Sequence, residues 1–297
     1  MTSPSVPVLR LKPKTDPRRL RHGAPWVFAD EVVADRRTRA LEPGAIARLE
    51  DGARRPLGLV AVNPGSKIIG RVLDPDPEAV IGEGWLAARI GTALAHRARL
   101  YDRPFYRLAH AEADGLPGVV IDRFGDKAVI QPNAAWAERL LEPLTEALIT
   151  VTGVGTVTKN AAGRARAQEG LDDVSHVLRG QLDGPVEVPM NAALYLADLE
   201  SGQKTGLYYD QRPNHAFAQR LAAGARVLDV FSHVGGFSLA ALAAGAAEAL
   251  AVDGSAPALA LAGEAAARMG VADRLSVQQA DAFAAMEALG AEGARFG

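Results

Sequence analysis

From residue 225 onward, short apolar runs alternate with helical patterns, and this rhythm restricts the fold more than any other feature of the chain. ARVLDVF (225–231), EALAVD (248–253) and LSVQQAD (275–281) read as strands. GFSLAALAAGA (236–246), PALALAGEAAARMG (257–270) and AFAAMEALGAEG (282–293) read as the helices that follow them. Strands linked through helices by short connections pair in parallel through right-handed crossovers, so this region is expected to be an α/β layer around a parallel sheet. Ligands of such sheets sit beyond the carboxyl ends of the strands. The residues there are Asp229, with Phe231, Ser232, His233, Gly235 and Gly236 after it; Asp253, with Ser255 after it; and Asp281, followed by Ala282.

The rest of the 297 residues divides in two. Residues 1–75 carry β-rich runs at 6–13, 26–33, 45–50, 56–62 and 67–74, with one short helix at 16–23, a spacing that predicts a small β-barrel or sandwich. Residues 76–185 predict an α+β domain. Its elements are a helix at 85–100, antiparallel strands around two glycine turns, and a second helix at 136–149. Trp136, Leu140, Leu144 and Leu148 form a core-facing stripe on that second helix. The polar stretch 160–178 reads as loop. Residues 186–297 complete the division as the ligand-binding domain.

Charge separates the same three regions. The net charge is +6 over residues 1–75, −3 over 76–185 and −5 over 186–297. A basic head on an acidic body is the footprint of a domain that docks on a phosphate backbone. Its densest part is Arg10, Lys12, Lys14, Arg18, Arg19 and Arg21, with His22 beside them; a solvated basic face is the competing explanation. The chain has no cysteine, which removes disulfides, Cys-ligated metals and thiol nucleophiles from its repertoire. Its six histidines are scattered without metal-ligand spacing. No run approaches the roughly 18 apolar residues of a membrane span, and the amino-terminal residues lack a secretory core, so a cytoplasmic protein is expected.

Two cofactor classes compete for the strand ends. A dinucleotide needs a G-x-G-x-x-G turn for its pyrophosphate, whereas here the glycines are adjacent and Asp229 would repel phosphate. S-adenosylmethionine carries no phosphate and has a cationic sulfonium and amino group, which suit a carboxylate at the first strand end. Gly235 and Gly236 let backbone approach a ligand closely. Asp253, 24 residues after Asp229, is placed for both ribose hydroxyls, and Asp281 with the Ala282 amide for the adenine edge. Each aspartate taken singly also reads as a helix N-cap.

Ahead of the first strand, GQKTGLYYDQR (202–212) reads as a loop closing over a ligand, with a surface connector as the alternative. Together with VLDVFSHVGGFSL (227–239) it closely resembles the class I S-adenosylmethionine-dependent rRNA methyltransferases of the large-subunit (23S) cytosine-C5 type. LRHGAPWVFADEV (20–32) is similar to that family's amino-terminal PUA domain, and AEADGLPGVVIDRFGDKAVIQ (111–131) to its central domain. The resemblance implies a PUA-like RNA-binding barrel, a central α+β domain and a Rossmann-like methyltransferase domain. It implies that Thr205, Tyr208, Asp210, Gln211 and Arg212 help enclose the donor. It also implies that Phe231, Ser232, Gly235 and Gly236 touch the donor's methionine part, that Asp253 binds ribose with Ser255 nearby, and that Asp281 binds adenine. His233 stands where the family commonly has Tyr and is assigned no role. A homodimer is compatible with the resemblance.

One departure bears on chemistry. Cytosine C5 becomes nucleophilic only after a thiolate adds at C6. The family's Asp-Pro-Pro strand and later cysteine are absent here, so no catalytic residue is assigned. The chain stops at residue 297, about where that strand is expected, leaving the first strand of the sheet without its neighbour. The expectation is therefore a donor half-site without the catalytic half. A non-catalytic PUA-type RNA-binding protein is the alternative, and a nicotinamide oxidoreductase the third reading.

Overall fold

The computed structural model describes residues 6–200 and 206–297. They fall into two compact units, Met1–Gly180 and Gln181–Gly297.

The first unit holds two five-stranded sheets. One is built from β1 (Val8–Arg10), β2 (Trp26–Val27), β3 (Ala45–Glu50), β4 (Pro56–Val62) and β5 (Gly70–Asp74), in the order β1-β3-β4-β5-β2. α1 (Arg18–Arg21) lies between β1 and β2 in the chain, and α2 (Arg36–Arg39) between β2 and β3. β1 runs parallel to β3 and the other pairs are antiparallel. Alternating residues Leu9 and Leu11, Ala47 and Leu49, and Val60 and Val62 point into one core, as period-2 patterning requires.

The second sheet follows α3 (Glu83–Ala98). It comprises β6 (Phe105–His110), β7 (Val119–Phe124), β8 (Lys127–Pro132), β9 (Thr156–Lys159) and β10 (His176–Arg179), in the order β10-β9-β8-β7-β6. β8 and β9 are parallel because the chain crosses between them through α4 (Ala135–Arg139) and α5 (Leu141–Thr152). The single helix expected over 136–149 is thus two. Pro143 cannot continue a turn over the Arg139 carbonyl, and the break falls at Leu140. Trp136, Leu144 and Leu148 still face the core with Leu86 and Ile90 of α3.

The segment 160–178 is not the loop that its polarity suggests, for it holds α6 (Arg164–Glu169) and β10. Buried charge takes the place of an apolar stripe here. Arg166 and Glu169 are both buried, Glu169 against Arg71 (2.9 Å) and the Asn63 amide (2.9 Å), which joins the first sheet to α6.

The second unit carries the expected parallel layer. β13 (Arg226–Val230), β14 (Glu248–Asp253) and β15 (Leu275–Gln279) form a parallel sheet in that order, with α8 (Gly236–Ala243), α9 (Ala256–Arg268) and α10 (Ala282–Ala291) following each strand. Two elements ahead of it carried no periodic signal. One is a hairpin of β11 (Val186–Met190) and β12 (Ala193–Ala197); the other is α7 (Arg212–Gln219). The hairpin turns on Asn191 and Ala192, at φ 53° and 56°, the paired left-handed conformation of a two-residue I′ turn. Asn191 ties this turn to both ends of α7, through its side-chain amide to the Arg212 carbonyl and its own carbonyl to the Gln219 amide. α7 is thereby fixed beside α8.

Candidate ligand cavity at the carboxyl end of the parallel sheet

A cavity of about 550 Å³ opens where β13 and β14 end, between the Leu207–Gln211 segment, α7 and the start of α8. Among the residues singled out from the sequence, Tyr208, Gln211, Phe231, Ser232, Gly236 and Asp253 line it. Thr205 lies outside the described residues.

The turn after β13 is unusual in its backbone. Phe231, His233 and Gly235 all adopt left-handed conformations, at φ 60°, 50° and 77°. For non-glycine residues this costs about 1–3 kcal/mol each and persists only where surrounding contacts impose it. Asp253 supplies such a contact, since its Oδ2 accepts the His233 amide at 2.8 Å and its Oδ1 the Ser255 amide at 2.8 Å. One carboxylate therefore fixes both loops while lining the cavity.

The other two aspartates do different work. Asp229 is buried and its Oδ2 accepts the Ser238 amide (2.9 Å) and hydroxyl (2.8 Å), so it caps the amino end of α8. Burial pushes its carboxyl above the usual carboxylate range, against the pull of the Ser238 bonds. Asp281 is exposed and caps α10 through the Phe283 and Ala284 amides, both at 3.0 Å. Neither lines the cavity, and nor do Gly235, Ser255, Ala282, Asp210 or Arg212. Asp210 is exposed at the start of α7, and the Arg212 carbonyl accepts the Asn191 amide at 2.9 Å.

His215 is the residue that sequence reasoning missed. It projects from α7 into the wall of the cavity, 3% exposed, between Tyr195 (ring centroids 6.1 Å apart, near-parallel) and Phe237 (4.5 Å, edge-on). A Cβ on Gly236 would lie 2.7 Å from its Nε2, so only glycine fits there. Among the described residues neither its Nδ1 nor the Ser232 hydroxyl, 4% exposed, has a hydrogen-bond partner. Each such unsatisfied group costs about 1–3 kcal/mol. Burial lowers the His215 pKa to about 4, with Asp210 opposing, so the imidazole is neutral at pH 7. Burial, with Asp210 and Asp253 nearby, also pushes the Tyr208 phenol above its usual range.

This burial has a stability consequence. A folded pKa below the unfolded value of 6.5 contributes stability that is complete above pH 6.5 and lost as pH falls through about 4. The loss from this one group is roughly 3 kcal/mol by pH 4, opposed by the raised Asp229. Urea unfolding measured from pH 7 to 4 should therefore show a flatter decline for His215→Phe than for the parent chain; identical slopes would refute this origin.

In the first unit, the six basic residues of the amino-terminal region are largely neutralised. Arg10 pairs with Glu50 (2.9 Å), Arg18 with Asp16 (2.7 Å), Arg21 with Asp51 (3.2 Å) and Arg19 with Glu31. Lys12 donates to the Asp30 carbonyl at 2.7 Å, and Lys14 is exposed. Arg36, Arg37 and Arg39, which the charge reading passed over, are all exposed on α2. Arg37 also borders a cavity of about 310 Å³ with Arg10, Val8 and Val33.

Two family models match the chain. A PUA-like domain model matches residues 9–75, and an S-adenosylmethionine-dependent methyltransferase model matches residues 103–286. A ribosomal RNA large subunit methyltransferase of Deinococcus radiodurans is 36% identical over 262 residues, covering 84% of this chain and 63% of the relative. The ribosomal RNA large subunit methyltransferase I of Alteromonas mediterranea is 37% identical, covering 82% and 61%. That of Shewanella denitrificans is 35% identical, covering 97% and 73%. The chain thus spans about three fifths of the first two relatives. A SAM-dependent methyltransferase structure from Streptococcus mutans superposes with a TM-score of 0.81 at 19% identity, over 98% of this chain and 75% of that one. A methyltransferase complexed with SAH superposes at 0.82, also at 19% identity, over 98% and 74%. At that identity the structures speak for the fold alone.

Proposed function

The chain belongs to the S-adenosylmethionine-dependent methyltransferase family, with a PUA-like domain ahead of the methyltransferase region, and on that premise we propose that it serves methylation of large-subunit (23S) ribosomal RNA at C5 of a cytosine, in the cytoplasm. The observation that carries the reading is the cavity at the ends of β13 and β14, walled by Asp253 and the left-handed turn. Its volume lies within the roughly 300–1,000 Å³ of small-molecule sites. The Ser232 hydroxyl, without a partner among the described residues, and the Gly236 cradle against His215 fit a polar ligand that approaches backbone closely.

S-adenosylmethionine supplies an electrophilic methyl group on a cationic sulfur. Asp253 would hold the ribose hydroxyls, and its negative charge favours a cationic ligand. Ser232 and the turn before α8 would hold the methionine part, while Tyr208 and Gln211 cover it. The exposed basic residues of the first unit would meet RNA phosphates, and a target base must leave its stack to reach a methyl donor. Cytosine specificity is supported by the resemblance of the 202–212 and 227–239 segments alone. The thiolate that would add at C6 has no counterpart here, since the chain has no cysteine.

The PUA-like match over residues 9–75 supports one second reading, RNA binding without methyl transfer. Mass spectrometry of large-subunit rRNA from cells with and without the gene separates the two. Loss of one 5-methylcytosine on deletion is the expected result. Loss of a different modified base overturns the C5 assignment. An unchanged rRNA, with salt-sensitive RNA binding retained by the protein, favours the second reading.

A further inference from the structure

We propose that His215 is a ligand-contacting residue of the cavity, its neutral imidazole accepting a hydrogen bond from the α-ammonium group of the methyl donor. The inference rests on reading the cavity as the donor site, and the residue was not among those assigned to it from the sequence.

Three observations converge on it. First, His215 lines the cavity although it is 3% exposed, and among the described residues its Nδ1 has no hydrogen-bond partner. A buried imidazole nitrogen is normally satisfied, so one left unpartnered beside a cavity is matched to something that enters it. Second, its placement is over-determined. Tyr195 and Phe237 flank the ring, the Tyr195 hydroxyl donates to the Gly236 carbonyl at 3.1 Å, and Gly236 has no Cβ that would clash with Nε2. Third, the neighbouring groups divide the donor's two charges. At the start of α8 the Ser238 amide is taken by Asp229 and the Gly236 amide by the Ser232 carbonyl, and the Ser232 hydroxyl, buried without a partner among the described residues, is a donor suited to a carboxylate. A neutral ring nitrogen is an acceptor suited to an ammonium group. The donor's amino-acid end carries one of each.

The test is isothermal titration of the full chain with two probes, S-adenosylmethionine and 5′-methylthioadenosine, which keeps the adenosine and sulfur but lacks the amino-acid end. His215→Phe preserves the ring and its packing and removes the acceptor; His215→Gln restores a polar group. For the Phe variant, S-adenosylmethionine should bind about tenfold more weakly, while 5′-methylthioadenosine stays within about twofold, and the Gln variant should recover part of the loss. The His215 ring nitrogen resonance should also shift when S-adenosylmethionine is added to the parent chain. Equal weakening of both probes would mean that His215 only shapes the cavity, and no weakening of either would remove it from the site; both outcomes overturn the proposal. A parent chain that binds neither probe overturns the donor-site reading itself, and this inference with it.

Discussion

Replacing Asp253 by alanine should lower the affinity for S-adenosylmethionine about 100-fold, roughly 3 kcal/mol, measured by titration calorimetry on the full chain. Two effects act together. The carboxylate facing the cavity is the group that would take the ribose hydroxyls, and charge-assisted hydrogen bonds are the strong ones. The same carboxylate holds the His233 and Ser255 amides, so its loss also releases the left-handed turn that carries Phe231 and Ser232. Asp253→Asn separates the effects. Its amide keeps one acceptor oxygen but cannot accept at both loops, and an intermediate loss is expected. A change of less than threefold in the alanine variant would show that the donor does not depend on this strand end.

Arg166→Ala is the stability counterpart in the first unit. The guanidinium is 1% exposed and serves Glu138 (2.9 Å), Asp172 (3.3 Å) and the Pro132 and Asp172 carbonyls. Lys159, itself buried, shares both carboxylates. Removing one member of a buried ion cluster leaves the others uncompensated, at about 3–5 kcal/mol. The thermal midpoint of this unit should fall by about 10 °C. Arg18→Ala, which removes the exposed pair with Asp16, should leave the midpoint unchanged. Equal effects of the two substitutions would refute the role of burial.

The two variants mark what was readable in the chain and what was not. The parallel layer was legible because buried strands and amphipathic helices each impose a local period, and LDVF, LAVD and VQQAD end where the sheet ends. The aspartates were legible as strand-end residues, but a strand end does not say where its carboxylate turns. Asp229 and Asp281 satisfy helix amides, and only Asp253 reaches the cavity. The charge reading has the same limit: it counts basic residues but has no means of pairing Arg10 with Glu50, 40 positions away. The sequence of segment 160–178 reads as loop because its helix is held by buried ions, which leave no apolar period.

By itself, the sequence determined the α/β layer, the β-rich first region, the family resemblance and the absence of a thiol. These follow from local period, composition and contiguous motifs. Tertiary structure alone decided that Glu169 meets Asn63 across 106 positions, and that His215 rather than Asp229 walls the cavity. The physical reason is that burial and hydrogen-bond partnership belong to pairs of groups, and chain folding brings those pairs together from distant positions.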